Sequence, residues 1–351
     1  MTEDIIFSRE GVAGRVLLNR PKVLNVLTHE MILKLQAQLN LWAPDDTVKL
    51  IIIEGVGEKA FCAGGDIRAL YNSRPKNEEF CASFFADEYR LNMGIKSYPK
   101  PYISIMDGIV MGGGVGVSVP GSFRIVTERT RCAMPETGIG LFPDVGGTYF
   151  LSRAPHYSGI YLGLTGDRMN AADAIYTGFA DKSVSYDCLP ELTSLLCNHD
   201  YGPNLVEEIN TLIKPYEFDP GPAALKTLGK HNLDVFSEDS VEQIITGLEA
   251  LGSDWSTQTL TTLRQKSPTS LKVTLKAINR ARDLTFNSCM AQEYRIVLQI
   301  MKGNDFYEGT RALIIEKDGQ PEWQPTSLEY VSTSLVDRHF QSLGEMELCE
   351  V

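Results

Sequence analysis

Apolar residues recur at helical spacing in Thr28–Leu41, at Met31, Ile32, Leu35 and Leu39, with Thr28 placed to cap the helix start. Before it, Ile5–Ser8 and Arg15–Asn19 read as short strands with Gly11 and Gly14 between them. Lys49–Glu54 (KLIIIE) is a continuous run of strand length, as expected for a strand buried on both faces. Ile67–Leu70 opens a helix behind Asp66. Glu78–Ser97 predicts a longer helix that must stop before Pro99 and Pro101. Tyr102–Met106 and Phe123–Thr127 are further strands. A strand, a Gly-rich turn and a helix thus recur, without a strict sequence repeat, which predicts an α/β fold.

After about residue 190 the pattern changes. Strand signals become scarce and helical periodicity takes over in Leu189–Asn198, Leu205–Lys214, Val241–Leu251 and Thr257–Gln265. Gly202-Pro203 and Pro220-Gly221-Pro222 punctuate these stretches. Leu271–Arg282 and Cys289–Met301 predict the longest late helices. The expected organisation is a catalytic α/β core over residues 1–190 and a mainly helical C-terminal region over 191–351, with a soft boundary.

Composition narrows the class. With 351 residues, 43% hydrophobic and 22% charged, the chain can bury a large core without staples. A net charge of −12 argues against nonspecific nucleic-acid binding. The seven cysteines, at 62, 81, 132, 188, 197, 289 and 349, include no C-x-x-C pair and are odd in number. They read as thiols of a reducing compartment, mostly serving as small core hydrophobes. Five scattered histidines show no metal-ligand spacing, so no metal site is expected. No apolar run is long enough to predict a membrane span. The acidic start MTEDIIFSRE is unlike a targeting leader, and the end ELCEV matches no peroxisomal or prenylation signal.

The chemistry concentrates in Ala133–Phe150 (AMPETGIGLFPDVGGTYF), where Glu136 and Asp144 are the only charges among apolar, Gly and Pro residues. Buried carboxylates are costly unless paired or used, so both are candidates for acid–base or nucleophilic work. Pro135-Glu136 also suits the first turn of a helix, and Asp144 suits a turn cap. Two Gly-rich turns lie upstream, Ala60–Asp66 (AFCAGGD) and Met111–Gly116 (MGGGVG). Glycines let a ligand approach the backbone and leave N–H groups available to it. Ordinary readings remain open, with Asp66 as a helix cap and the Gly triplet as tight packing. The triplet lacks a P-loop ending and fails G-x-G-x-x-G. Two sets of amides and two acids are the components of acyl-thioester chemistry. Pattern alone places Glu88, in ADEYRLN, on a solvated helix surface. Arg68, Lys59 and Lys100 could meet phosphates but read first as ordinary surface charges.

These residues resemble the enoyl-CoA hydratase/isomerase superfamily, the crotonases. The resemblance runs nearly end to end, through LLNRPKVLN (17–25), KAFCAGGDIR (59–68), DEYRLN (87–92), GIVMGGGVGVSV (108–119), the Ala133–Phe150 stretch, LTGDRMNAADAIYTGFA (164–180), SPTSLKVTLK (267–276), EYR (293–295) and DFYEGTRALIIEKDGQPEWQP (305–325). It implies a spiral of ββα units with a helical C-terminal region. It also implies a CoA thioester whose carbonyl meets an oxyanion hole built from the Gly65 and Gly113 N–H groups. Hydratases of the superfamily use two glutamates; one matches Glu136, and the other falls where this chain has Gly116. The hydrolase branch shares that absence and carries an Asp matching Asp144 and a substrate-binding Glu matching Glu88. The implied substrate-binding set is therefore Glu88, Gly113, Glu136 and Asp144, with Glu136 and Asp144 catalytic. The expected reaction is hydrolysis of a short 3-hydroxyacyl-CoA, with (S)-3-hydroxy-2-methylpropanoyl-CoA of valine degradation the leading substrate and 3-hydroxypropionyl-CoA another. Glu136 could attack to form a mixed anhydride or activate water as a general base. Another crotonase reaction, such as hydration or isomerisation, and a noncatalytic CoA-binding role are the alternatives. No cofactor is expected, CoA being part of the substrate; neither is a nucleic-acid or membrane partner. A homo-oligomer is open, because many superfamily members are trimers or hexamers and the C-terminal region could alter that assembly. The resemblance alone implies a mitochondrial location.

Overall fold

The computed structural model describes residues 3–73 and 78–348. Cys349, with the end of the ELCEV stretch, and Met1 and Thr2 lie outside the described residues. The chain packs as two compact units, each assembled from three separated stretches. The first takes residues 1–65, 91–132 and 169–223; the second takes 66–90, 133–168 and 224–351.

In the first unit β1 (Ile5–Glu10) and β2 (Ala13–Leu18) form an antiparallel hairpin, Ile5 opposite Leu18 and Glu10 opposite Ala13. Gly14 lies inside β2, paired with Arg9, instead of between the strands, and the Trp42 ring covers it: a Cβ there would come 2.7 Å from that ring. Parallel strands follow, β3 (Leu50–Gly55), β5 (Tyr102–Met106), β7 (Phe123–Val126) and β9 (Lys182–Ser183), giving the order β1-β2-β3-β5-β7-β9. Leu50–Ile53 is buried throughout, as its unbroken apolar run requires. One face of this sheet packs Ile52, Ile103, Ile105 and Ile125 against Leu192 and Leu196 of helix Leu189–Asn198 and Ile209 and Ile213 of helix Leu205–Ile213. Helix His29–Trp42 is capped by Thr28, whose side chain accepts the Met31 N–H at 3.2 Å.

A second sheet, β4 (Ala60–Cys62), β6 (Ile109–Met111) and β8 (Arg131–Ala133), was not legible from periodicity because each strand has only three residues. It supplies the regularity of the fold. β3 leads to β4, β5 to β6 and β7 to β8, and each pair is followed by a helical segment. This is the expected mixed α/β spiral of ββα units.

In the second unit Asp66 caps helix Ile67–Asn72, accepting the Ala69 N–H at 3.1 Å. Helix Glu78–Lys96 begins in this unit. Helices Asp254–Gln265, Pro268–Ala281 and Phe286–Ile300 each start three residues before the periodic stretch predicted for them. The hydroxyls of Ser253, Ser267 and Thr285 set those starts, each accepting a first-turn N–H. Among the described residues no helix is long and apolar enough to cross a membrane. Of the cysteines described, Cys188 is half-buried and the others are buried.

Candidate active site

Backbone donors are built in the first unit. Parallel pairing of β4 with β6 sets their C-terminal ends side by side, so the turns that leave them begin together. Gly64 has φ +119, and a Cβ on it would lie 3.8 Å from the Gly113 nitrogen. Gly112, at φ 49 and ψ −123, adopts a conformation that glycine alone takes readily. Among the described residues neither Gly65 nor Gly113 donates its N–H to another backbone group. The packing role considered for the triplet falls on Gly114, where a Cβ would meet the Cys62 carbonyl oxygen at 2.3 Å. Gly116 is buried and its carbonyl accepts the Asn92 side chain at 2.9 Å. No acid stands at this position.

Side-chain chemistry is built in the second unit. Glu136 opens the 3-10 turn Glu136–Ile139 after Pro135, and Leu141 donates its N–H to the Glu136 carbonyl at 3.0 Å. Gly140, at φ +72, closes the turn against Asp305. Asp144 sits before Val145 (φ +51) and Gly146 (φ +85), and its carbonyl accepts the Gly147 N–H at 2.6 Å. Its carboxylate accepts the Tyr89 hydroxyl at 2.8 Å.

Glu88, read from pattern as surface, is only 2% exposed. The correction has a simple geometric cause. Glu88 is one helical turn from Phe84 and lies beside Phe85 and Tyr89 on the buried stripe, whereas Asp87 and Arg90 pair outside it. The helical phase therefore contained the signal, but the charge obscured it.

These carboxylates share one electrostatic environment. Burial pushes Glu136 well above the usual carboxylate range, and Asp144 adds to that, while Lys266 opposes it. Burial raises Asp144 to about 7 against the opposing Tyr89 hydrogen bond. Glu88 is also raised well above its ordinary value, first by burial and then by Asp144. Glu88 Oε1 and Glu136 Oε2 are buried and, among the described residues, accept no hydrogen bond. Buried polar atoms are rarely left in this state without a purpose.

Sequence reasoning missed two further members. Glu293 is fully buried and accepts the N–H groups of Gly146 at 2.7 Å and Thr148 at 3.0 Å. Lys266 is tied to this region by its neighbour Ser267, which donates its N–H to the Thr137 carbonyl at 3.2 Å. Burial lowers the Lys266 ammonium, while Glu136 and Asp167 draw it upward. Of the cations considered for phosphate, Arg68 donates to the Ile314 carbonyl at 2.7 Å, and Lys100 ties the Trp42 and Asp45 carbonyls at 2.5 and 2.6 Å. Lys59, with Lys22, lines a cavity of about 410 Å³ in the first unit. Among the described residues no cluster of three or more His, Cys, Asp or Glu could hold a metal ion.

The profile of the enoyl-CoA hydratase/isomerase family matches residues 13–340. The chain belongs to this family. Two relatives extend the match to nearly full length. The mitochondrial 3-hydroxyisobutyryl-CoA hydrolase of Gallus gallus is 41% identical over 98% of this chain and 90% of that protein. The Homo sapiens protein of the same name is 39% identical over 99% and 90%. Among solved structures, a carnitinyl-CoA dehydratase from Mycobacterium thermoresistibile is 38% identical, with a TM-score of 0.92 over 99% of both chains. An enoyl-CoA hydratase from Rhodobacter sphaeroides is 35% identical, with a TM-score of 0.91 over 99% of this chain and 100% of the other. The enoyl-CoA hydratase/isomerase fold therefore covers both units of the chain.

Proposed function

We propose that the chain hydrolyses a short 3-hydroxyacyl-CoA thioester, with (S)-3-hydroxy-2-methylpropanoyl-CoA as substrate and 3-hydroxyisobutyrate and CoA as products. The observation that carries the reading is the buried Glu136–Asp144 pair, with one Glu136 oxygen that accepts no hydrogen bond among the described residues, in a chain that has Gly at 116. The hydrolase relatives point to the same reaction. The core at 1–190 and the helical region at 191–351 act in this proposal as one family unit.

Each assigned group has a chemical task. The N–H groups of Gly65 and Gly113 polarise the thioester carbonyl and stabilise the oxyanion that forms from it. Loss of one such donor raises the barrier by on the order of 3 kcal/mol. Glu136 supplies the carboxylate for the carbonyl carbon, either by direct attack or by taking a proton from the attacking water. The C–S bond breaks and the thiolate takes up a proton; on the direct-attack route water then hydrolyses the mixed anhydride, releasing the hydroxy acid and restoring the Glu136 carboxylate. Asp144, held near 7, exchanges protons readily at neutral pH and orients the water or the 3-hydroxyl. Glu88 Oε1, which accepts no hydrogen bond among the described residues, takes the hydroxyl of the acyl group. The relatives' mitochondrial names support that compartment.

Hydration or isomerisation of an enoyl-CoA is the second reading, favoured by the descriptions of the two solved structures. The absence of an acid at Gly116 leaves it without half of a water-activating pair. Free CoA release from 3-hydroxyisobutyryl-CoA decides between them. Rapid release by wild type, reduced about a hundredfold or more in both Glu136→Gln and Asp144→Asn, is the expected result. A folded wild type that hydrates crotonyl-CoA and releases no CoA overturns the proposal.

A further inference from the structure

The EYR stretch, residues 293–295, has no role in the chemistry above. Its first residue lies fully buried in helix Phe286–Ile300, about 150 positions along the chain from the Asp144 turn it touches. Glu293 Oε2 accepts the Gly146 N–H at 2.7 Å; Oε1 accepts the Thr148 N–H at 3.0 Å and also bonds the Thr148 hydroxyl. The held turn is strained. Val145, a β-branched residue, stands at φ +51 between Asp144 and Gly146. Such a conformation persists only where surrounding contacts over-determine it. Phe286, from the start of the same helix, closes on Gly146, where a Cβ would meet its ring at 2.6 Å. The next residue, Tyr294, packs edge-on against Tyr89 with ring centroids 6.3 Å apart, and Tyr89 donates to Asp144. One helix thus contacts the Asp144 turn directly and the residue that grips the Asp144 side chain.

We propose that Glu293 is a positioning residue for the thioester hydrolysis, its carboxylate fixing the Val145–Thr148 turn that aims Asp144. This inference rests on the hydrolase reading. Both Glu293 oxygens face backbone N–H donors, so both must be acceptors. Glutamine has nearly the same shape but presents an amide NH₂ to one of those N–H groups, and aspartate is one methylene short. Burial raises Glu293 to about 8, while the hydrogen bonds from Thr148 and Gly146 pull it back by favouring the carboxylate.

The test is CoA release from 3-hydroxyisobutyryl-CoA by wild type, Glu293→Gln and Thr148→Val, each also in an Asp144→Asn background, with thermal unfolding measured on every protein. Glu293→Gln is expected to lower kcat about tenfold or more while KM moves less than about threefold, and this loss should shrink to within about twofold when Asp144 is already Asn. Thr148→Val removes one of the three hydrogen bonds and leaves the carboxylate, so it carries the test if Glu293→Gln fails to fold. Its expected loss is about threefold, with the same collapse. An unchanged kcat, or an equal loss in both backgrounds, overturns the positioning role, since a general structural defect does not depend on Asp144. No release by folded wild type is a different result, the failure of the hydrolase reading itself.

Discussion

The Gly112–Gly114 turn and the Glu136–Thr148 segment both present polar groups for use, but by different means. In the first, position is set by what is missing. Gly114 has no Cβ, so the turn lies against the Cys62 carbonyl, and the donors are backbone amides whose direction follows from φ and ψ. In the second, position is set by what is added. Tyr89 and Glu293 approach from distant helices to hold Asp144 and its turn, and Lys266 moderates the charge on Glu136. Sterics govern the first arrangement and electrostatics the second. The first should therefore respond sharply to volume and little to pH, and the second the reverse.

Gly114→Ala should produce the largest response outside the catalytic carboxylates themselves. Its Cβ would lie 2.3 Å from the Cys62 oxygen, which as backbone cannot rotate away, so the turn must move. A misplacement of order 1 Å is expected to cost about a hundredfold in kcat, with earlier thermal unfolding. The pH dependence of the residual rate should match wild type, because no carboxylate has changed. A pH profile displaced by this substitution would break the contrast between the two regions.

The same contrast explains what the sequence revealed. Gly112–Gly114, the caps Thr28 and Asp66 and the run Leu50–Ile53 are local signals, legible because each is a pattern written in neighbouring residues of the sequence. Glu136 and Asp144 stood out as lone charges in an apolar stretch. Glu88 did not, because charge outweighed its helical phase. Glu293, though within the EYR stretch of the resemblance, and Lys266 carried no local sign of a role: their partners, Gly146, Thr148 and Glu136, lie more than 120 residues away. The three-residue strands were invisible for a related reason, since pairing defines them and periodicity cannot.

Lys266→Met sharpens the electrostatic side. The ammonium opposes burial and Asp144 in raising Glu136, so its removal raises Glu136 further. A reaction that needs ionised Glu136 then shifts to higher pH. The rising limb of kcat should move to higher pH, with a loss of a few-fold at neutral pH. An unmoved limb, or one displaced towards acid, would remove Lys266 from the site.

The smallest effect concerns stability. Asp144 is held near 7 in the folded chain by burial, against about 4 when unfolded. Folding therefore favours its protonated form. The stability this group contributes is fully present below about pH 4 and is lost as pH rises through about 7. Other buried groups act in the opposite sense. Burial lowers His339 and Lys266, so the folded state holds their protons less tightly. Comparing Asp144→Asn with wild type cancels those contributions, because both proteins carry them. The melting temperature of the variant relative to wild type should rise between pH 4.5 and 7 by a few degrees and level off above that. A difference that is flat or falls across that range would mean that Asp144 stays ionised in the fold. The Tyr89 hydroxyl would then outweigh burial, and Asp144 would hold water or substrate as a fixed charge without exchanging protons.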